Sequence, residues 1–304
     1  MPGFFIRESR NMNERHRVRQ VQPYRSPQEN DLVAATHNHT RKSDSFMSPN
    51  NLVYLSHEAG INTLIVTDHD RTGGAAEALT IAENCGLINI TNNRDHFEVI
   101  IGQEVTTTEG HLLIWGGSTT IVCGLSAQET AEVAHDQGAI VTVPHPGFEQ
   151  GEGVSWEMLD QLLEKGLVDA VEARNGAGET LTYMSRILAA FVGENIAGKI
   201  ASGSDSNLDA LRHARRSGGI AYAITGGQDA HLDSLPSLTK VVTLYPQGMS
   251  FLDAVRERKT VYSTKNEPEF WGPRMYLRQR KLSKRLEDDR QHNRDGIMCV
   301  TGYE

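Results

Sequence analysis

The chain has 304 residues, 38% of them hydrophobic and 23% charged, enough apolar material for one sizeable globular domain with tails. No apolar run approaches the roughly 18 residues of a membrane helix, and residues 1–25 are polar and Arg-rich rather than secretory in pattern, so a bilayer or secreted role is not expected. Thirty Lys and Arg against 39 Asp and Glu leave a net charge of −9, a field that repels long nucleic acid unless basic residues cluster locally.

Residues 1–30 read as a polar arm carrying Arg7, Arg10, Arg15, Arg17, Arg19 and Arg25, and residues 266–304 as a charged tail. Such charge runs serve solvation or packing on a partner subunit, or else contact with nucleotide or nucleic acid. Between them, residues 31–265 form the expected domain. Ser48-Pro49 caps and opens a helix that Gly60 stops, and an apolar run follows at 61–66. A second helix is expected from Gly74 to Gly86, then strands at 97–105 and 110–115. Ser126 and Glu129 make a capping box for a helix ending near Gly138, followed by a buried strand at 139–143. Beyond it come a helix at 159–165, a strand at 168–173, a helix at 181–192 and a strand at 199–202. A strand at 241–245 and a helix at 251–258 complete the series. Alternation of this kind predicts an α/β fold with a mainly parallel sheet.

The chemistry-bearing residues fall at the ends of the β-like runs, where α/β barrels place their active sites. His37 and His39, two apart on an expected strand, would project from one face and could share a metal; Asp44 follows in the next loop. Thr67-Asp68-His69-Asp70 closes the second run, either as a salt-bridged strand end or as part of a metal site, with Asp68 and Asp70 supporting His69. Glu104, with His111 seven residues on, reads as ligands or as a capped turn with a core histidine. His145 lies between Pro144 and Pro146, which fix the backbone around it and suit a rigid ligand, although a plain turn has the same letters. Asp205 and Asn207 end the 199–202 run, the aspartate a hard anionic ligand and the amide a weak one. Singly none decides; five histidines and several carboxylates, each group ending a separate strand, point to a multinuclear metal site.

Imidazole mixed with carboxylate, without cysteine nearby, suits manganese, iron or zinc. Cys85, Cys123 and Cys299 are scattered, suggesting neither a disulfide framework nor a thiolate zinc site, and point to a reducing, cytoplasmic compartment.

The ordered set His37-x-His39, Asp44, Thr67-Asp68-His69-Asp70, Gly102-x-Glu104, Gly110-His111, His145-Pro146 and Gly203-Ser204-Asp205 resembles the PHP family, named for polymerase and histidinol phosphatase. The likeness is to its stand-alone branch of metal-dependent phosphoesterases. It implies a distorted (β/α)7 barrel with two or three divalent ions at its mouth. On that pattern His37, His39, Glu104 and Asp205 hold one metal, and Glu104 bridges to a second held by His111 and His145. Asp44 and His69 hold a third, for which the family adds a histidine where this chain has Asn207. His213 and His231 could substitute but read as surface histidines, and Gly218-Gly219 and Gly226-Gly227 read as loops.

The function so implied is hydrolysis of a small phosphomonoester or nucleotide by metal-activated hydroxide. Arg71 and Arg174 are the candidates to neutralise charge on the transferring group, and Asp70 to relay the leaving-group proton. Three other readings stand beside it: hydrolysis of nucleic-acid ends held by the basic arms, a metal-binding regulatory domain without activity, and hydrolysis at a carbon centre. Oligomers are compatible with all of them.

Overall fold

The computed structural model describes residues 25–148, 152–177, 222–231 and 240–264. Among the described residues nine strands lie in one sheet in the order β7-β6-β5-β4-β3-β2-β1-β8-β9. They are β1 (Asp31–Ala35), β2 (Thr63–Val66), β3 (Glu98–Thr106), β4 (His111–Trp115), β5 (Ile140–Val143), β6 (Ala170–Asn175), β7 (Ala223–Gly227), β8 (Val241–Pro246) and β9 (Val261–Thr264). Five helices are described: α1 (Pro49–Glu58), α2 (Gly73–Asn84), α3 (Ala127–Asp136), α4 (Trp156–Glu164) and α5 (Phe251–Arg256).

The helix ends obey the local signals. Ser48 Oγ accepts from the Asn51 amide ahead of Pro49, and the chain leaves α1 through Gly60 at φ 72°. Both hydrogen bonds of the Ser126–Glu129 capping box are present at α3. Ala127, Thr130, Ala131 and Ala134 form the buried stripe of that helix.

The sheet itself corrects the expectation of a mainly parallel arrangement. Parallel pairs β1–β2, β2–β3, β5–β6 and β6–β7 are matched by antiparallel pairs β1–β8, β3–β4, β4–β5 and β8–β9. The reason is clearest at β3–β4. Only residues 107–110 join these strands, too few for a crossover, so the chain must reverse, with Gly110 at φ 133°. His111 therefore sits at the start of β4, not at a strand's C-terminal end. Because Thr106 pairs with His111, it still reaches the mouth where the parallel strands finish.

Two further readings change. β1 ends at Ala35, so His37 and His39 lie just beyond the strand rather than on it. Gly226 and Gly227 belong to strand β7 instead of a loop. The expected helix at 181–192 and strand at 199–202 lie outside the described residues, as do the two charged arms apart from residues 25–30.

Side chains close the sheet into a nearly complete barrel. The Gly226 amide donates to Thr243 Oγ1 on β8 (3.0 Å), whose hydroxyl donates back to the Gly226 carbonyl (2.9 Å). Thr36 beyond β1 donates to the same carbonyl (3.1 Å). Inside lies a core made by Leu32, Ile65, Leu113, Trp115, Ile140, Ala170, Ala223 and Tyr245, with Phe251 of α5 packed on it. Residues from so many strands can meet only in a barrel interior, and this apolar plug forms the floor beneath the polar mouth. No helix of the described residues is long and apolar enough to cross a membrane.

Candidate metal centre

Glu104 is the hub. Its carboxylate is buried near the end of β3 and is approached by five imidazoles: Oε2 by His37 Nε2 (3.1 Å), His39 Nε2 (3.1 Å) and His69 Nδ1 (3.5 Å), Oε1 by His111 Nδ1 (3.0 Å) and His145 Nε2 (3.3 Å). A second carboxylate, Asp229, lies two residues past β7. Its Oδ1 stands 3.2 Å from His39 Nε2, 3.5 Å from His37 Nε2 and 3.4 Å from His231 Nδ1. A third, Asp44, places Oδ2 3.0 Å from His231 Nε2 and 3.7 Å from His69 Nε2, with Oδ1 3.7 Å from His39 Nδ1.

Among the described residues four overlapping groups have ligand atoms close enough to share an ion: His37, His39 and Asp229; His37, Glu104 and His145; His69, Glu104 and His111; and His39, Asp44, His69 and His231. The structure thus brings together His37, His39, Asp44, His69, Glu104, His111 and His145. Asp205 and Asn207 lie outside the described residues. Asp229 was missed, and His231, named as a possible substitute but read as a surface histidine, is buried. The signal was legible in Gly227-Gln228-Asp229-Ala230-His231, an Asp-x-His pair after an apolar run.

The backbone around these groups is held tightly. Asp70, His145 and Asp229 all have positive φ, at 54°, 28° and 54°, a conformation that costs a non-glycine residue roughly 1–3 kcal/mol and persists only where the surroundings impose it. Asp70 accepts from the Thr106 amide (2.7 Å) and hydroxyl (3.0 Å), which ties the His69 loop to the end of β3. Asp68 accepts from the Thr40 amide (2.6 Å), the Thr40 hydroxyl (2.7 Å) and the Ser43 hydroxyl (2.8 Å), and so fixes the loop that carries Asp44. Arg71 donates to the carbonyls of Lys42 (2.9 Å) and His69 (3.2 Å), tying the same two loops together. Arg174 is half-buried on β6. None of Asp70, Arg71 and Arg174 belongs to the four groups.

Without a metal this site is a mutual neutralisation of charges. Burial works against charge on His39, but bonds to Asp229 and Glu104 and the charge of Asp44 outweigh it and push the imidazole up to about 10. His111 is pushed up to about 9, burial being overcome by the charge of Glu104 and by bonds to Glu104 and Glu152. For Glu104, burial raises the carboxyl, yet the charges of His69, His37 and His111 hold it well below its ordinary range. Asp229 is held low likewise, by His37 and His231 against burial.

The donor set fits divalent ions better than it fits itself. Nδ1 of His39 and Nδ1 of His145 are buried without a well-aligned hydrogen bond, a costly state for polar atoms. His37 Nε2 and His39 Nε2 lie 3.1 Å apart and face one volume, to which neutral rings would offer two lone pairs for a divalent ion.

No protein-family model matches the chain. An uncharacterized protein of Methanocaldococcus jannaschii is 32% identical over 103 residues, 34% of this chain and 54% of that protein. A 5'-3' exoribonuclease of Haemophilus influenzae is 31% identical over 94 residues, 31% of this chain and 28% of the enzyme. The matches thus span only about half and about a quarter of these relatives. Among solved structures, a two-domain protein from Bacteroides vulgatus, containing a predicted PHP-like metal-dependent phosphoesterase, superposes with a TM-score of 0.58 at 15% identity. That superposition covers 84% of this chain and 72% of the other. A distorted α/β barrel whose mouth gathers histidines and acids from its strand ends, together with this likeness, gives the chain the fold of the PHP-like metal-dependent phosphoesterases.

Proposed function

We propose that the chain is a metal-dependent phosphoric ester hydrolase acting on a small phosphomonoester or a nucleotide. The observation that carries this reading is the Glu104 carboxylate set among five imidazoles, which with Asp229 and Asp44 form overlapping groups of ligand atoms close enough to share an ion. The residues that would hold two or three ions of manganese, iron or zinc are His37, His39, Asp229, Glu104, His145, His111, His69, Asp44 and His231. Asp229 and His231 supply the aspartate and histidine that the family resemblance sought at Asp205 and Asn207.

Bound divalent ions would supply a hydrolytic nucleophile at neutral pH and neutralise charge on the phosphoryl group. The chain's own residues supply the frame. Glu104 spans the histidines of two ligand groups through its two oxygens, and Asp68 and Asp70 keep the Asp44 and His69 loops in register with β3. Arg71 lies where those loops meet, so its guanidinium suits an incoming phosphate. Arg174 is the second cation for that task. Asp70, with both oxygens engaged by Thr106, serves the loop more directly than it serves proton transfer.

A second reading, hydrolysis of nucleic-acid ends, is favoured by the likeness to an exoribonuclease and by the arginines of residues 1–25. One panel tests both: phosphomonoesters, nucleotides and 5'-phosphorylated oligoribonucleotides, with manganese added. Turnover of any of them that His37→Ala abolishes supports the hydrolase. Unchanged turnover in that variant refutes it. Oligonucleotide turnover that falls with salt and with removal of residues 1–25 favours the nuclease reading.

A further inference from the structure

We propose that Glu172 is a positioning residue that orients metal-binding side chains from three different strand ends at once; the inference rests on the metal-holding part of the function proposed above. Glu172 lies on β6, is buried, and belongs to none of the four ligand groups. Its Oε1 is 3.1 Å from His37 Nδ1, the ring nitrogen opposite the one facing Glu104 and Asp229. Its Oε2 accepts from the His145 amide (3.0 Å) and from Asn175 Nδ2 (2.8 Å), and that same Nδ2 lies 3.3 Å from Asp229 Oδ2.

A buried carboxylate is costly unless its partners compensate it. Here each partner is a ligand side chain, the backbone of a ligand, or an amide that reaches a further ligand. The contact with His37 makes Nδ1 the donor and leaves the Nε2 lone pair facing the cluster, which sets the tautomer a metal needs. The contact with the His145 amide holds that residue at φ 28°. Through Asn175 the same group reaches Asp229, just past the end of β7.

Two features of the backbone make room for this carboxylate. The β6–β7 register is irregular between Glu172 and Arg174, the kind of local kink that re-aims a side chain. Gly227, on the neighbouring strand, would put a Cβ 1.9 Å from Glu172 Oε1 and 2.6 Å from His37 Cβ, so only glycine lets the two groups meet.

The test compares the full-length native chain with Glu172→Gln. A carboxamide has one acceptor oxygen where three donors now converge on two, so it cannot serve His37, His145 and Asn175 together. By chelator competition, zinc and manganese affinity should fall about 10–100-fold, with cooperative unfolding retained. In parallel, ¹⁵N-histidine spectra of the zinc-loaded native chain should show His37 protonated at Nδ1 and coordinating through Nε2. A folded Glu172→Gln variant with affinity within about twofold of native, or His37 coordinating through Nδ1, overturns the role of Glu172. If the variant does not fold, the native tautomer decides. A native chain that takes up no metal would instead sink the metal reading itself.

Discussion

His231 Nε2 lies 3.0 Å from Asp44 Oδ2, although 187 positions separate the two residues in the chain. The contact joins the loop after β1 to the loop after β7 across the seam where the barrel closes. His231 Nδ1 meanwhile lies 2.9 Å from the Asp229 carbonyl, which can only accept, so that nitrogen is a donor and the ring is held with Nε2 turned toward Asp44. A side chain held this way belongs to the site and not to the surface.

Asp229→Ala and His231→Ala should each lower the number of tightly held ions and reduce turnover about 100-fold or more, as removal of ligands to a catalytic metal does. Metal analysis of the dialysed proteins measures the first effect and the phosphoester panel the second. Asp205→Ala, made alongside, is expected to keep native metal content. If Asp205→Ala loses an ion and Asp229→Ala does not, the family's aspartate is Asp205 after all.

Metal binding should release protons. With His39 raised to about 10 and His111 to about 9, both are protonated at pH 7.5 in the metal-free chain, whereas a ligating imidazole must be neutral. Apparent affinity should therefore rise with pH up to about 9–10. Titration calorimetry in buffers of different ionisation enthalpy reads the released protons directly; identical heats in all buffers would contradict the charge state described above. The metal-free chain has the opposite slope. A raised imidazole contributes stability that is full below about pH 6.5 and is lost as pH climbs through the folded value, so the metal-free protein should weaken between neutrality and pH 10.

Gly73 and Gly74 stand side by side at the start of α2 and should respond differently to alanine. A Cβ on Gly74 would fall 1.8 Å from Asp68 Oδ2 and 2.5 Å from Thr40 Oγ1, breaking the clamp on the Asp44 loop, while one on Gly73 meets nothing within 4 Å. Gly74→Ala should cost about 1–3 kcal/mol and weaken metal retention. Gly73→Ala should be neutral or stabilising by up to about 1 kcal/mol. Thermal unfolding of the two variants, with and without metal, checks the contrast.

Away from the site, His135 at the end of α3 bonds Asp169 Oδ2 (2.9 Å), which also accepts from the Val141 amide of β5 (2.8 Å). The bond to Asp169 raises the imidazole against partial burial. Its contribution is thus complete below about pH 6.5 and fades as pH rises through the folded value. Asp169→Asn should lower stability by roughly 1 kcal/mol at pH 6 and by less at pH 9, seen as a pH-dependent gap between the unfolding midpoints. A gap that does not change with pH would mean that the pair carries no charge-dependent stability.

Much of the architecture was already present in the letters. Ser48-Pro49, the Ser126–Glu129 box and the apolar runs ending in His69, Glu104 and His145 are local signals, and local hydrogen bonding and burial suffice to set them. So are the types of donor. Tertiary structure alone decided the rest. Strand direction turned on a four-residue link between β3 and β4, which put His111 at a strand's start yet beside Thr106. Bringing Asp229 and His231 beside His39 and Asp44 required the barrel seam, because nothing in the local period tells which strand-end residues meet. Glu172 reads in the sequence as an ordinary strand carboxylate and becomes a support for His37 only where Gly227 leaves it room. Coordination is a convergence of atoms from distant segments. A chain can therefore display its ligands in sequence while leaving the set that meets to the fold.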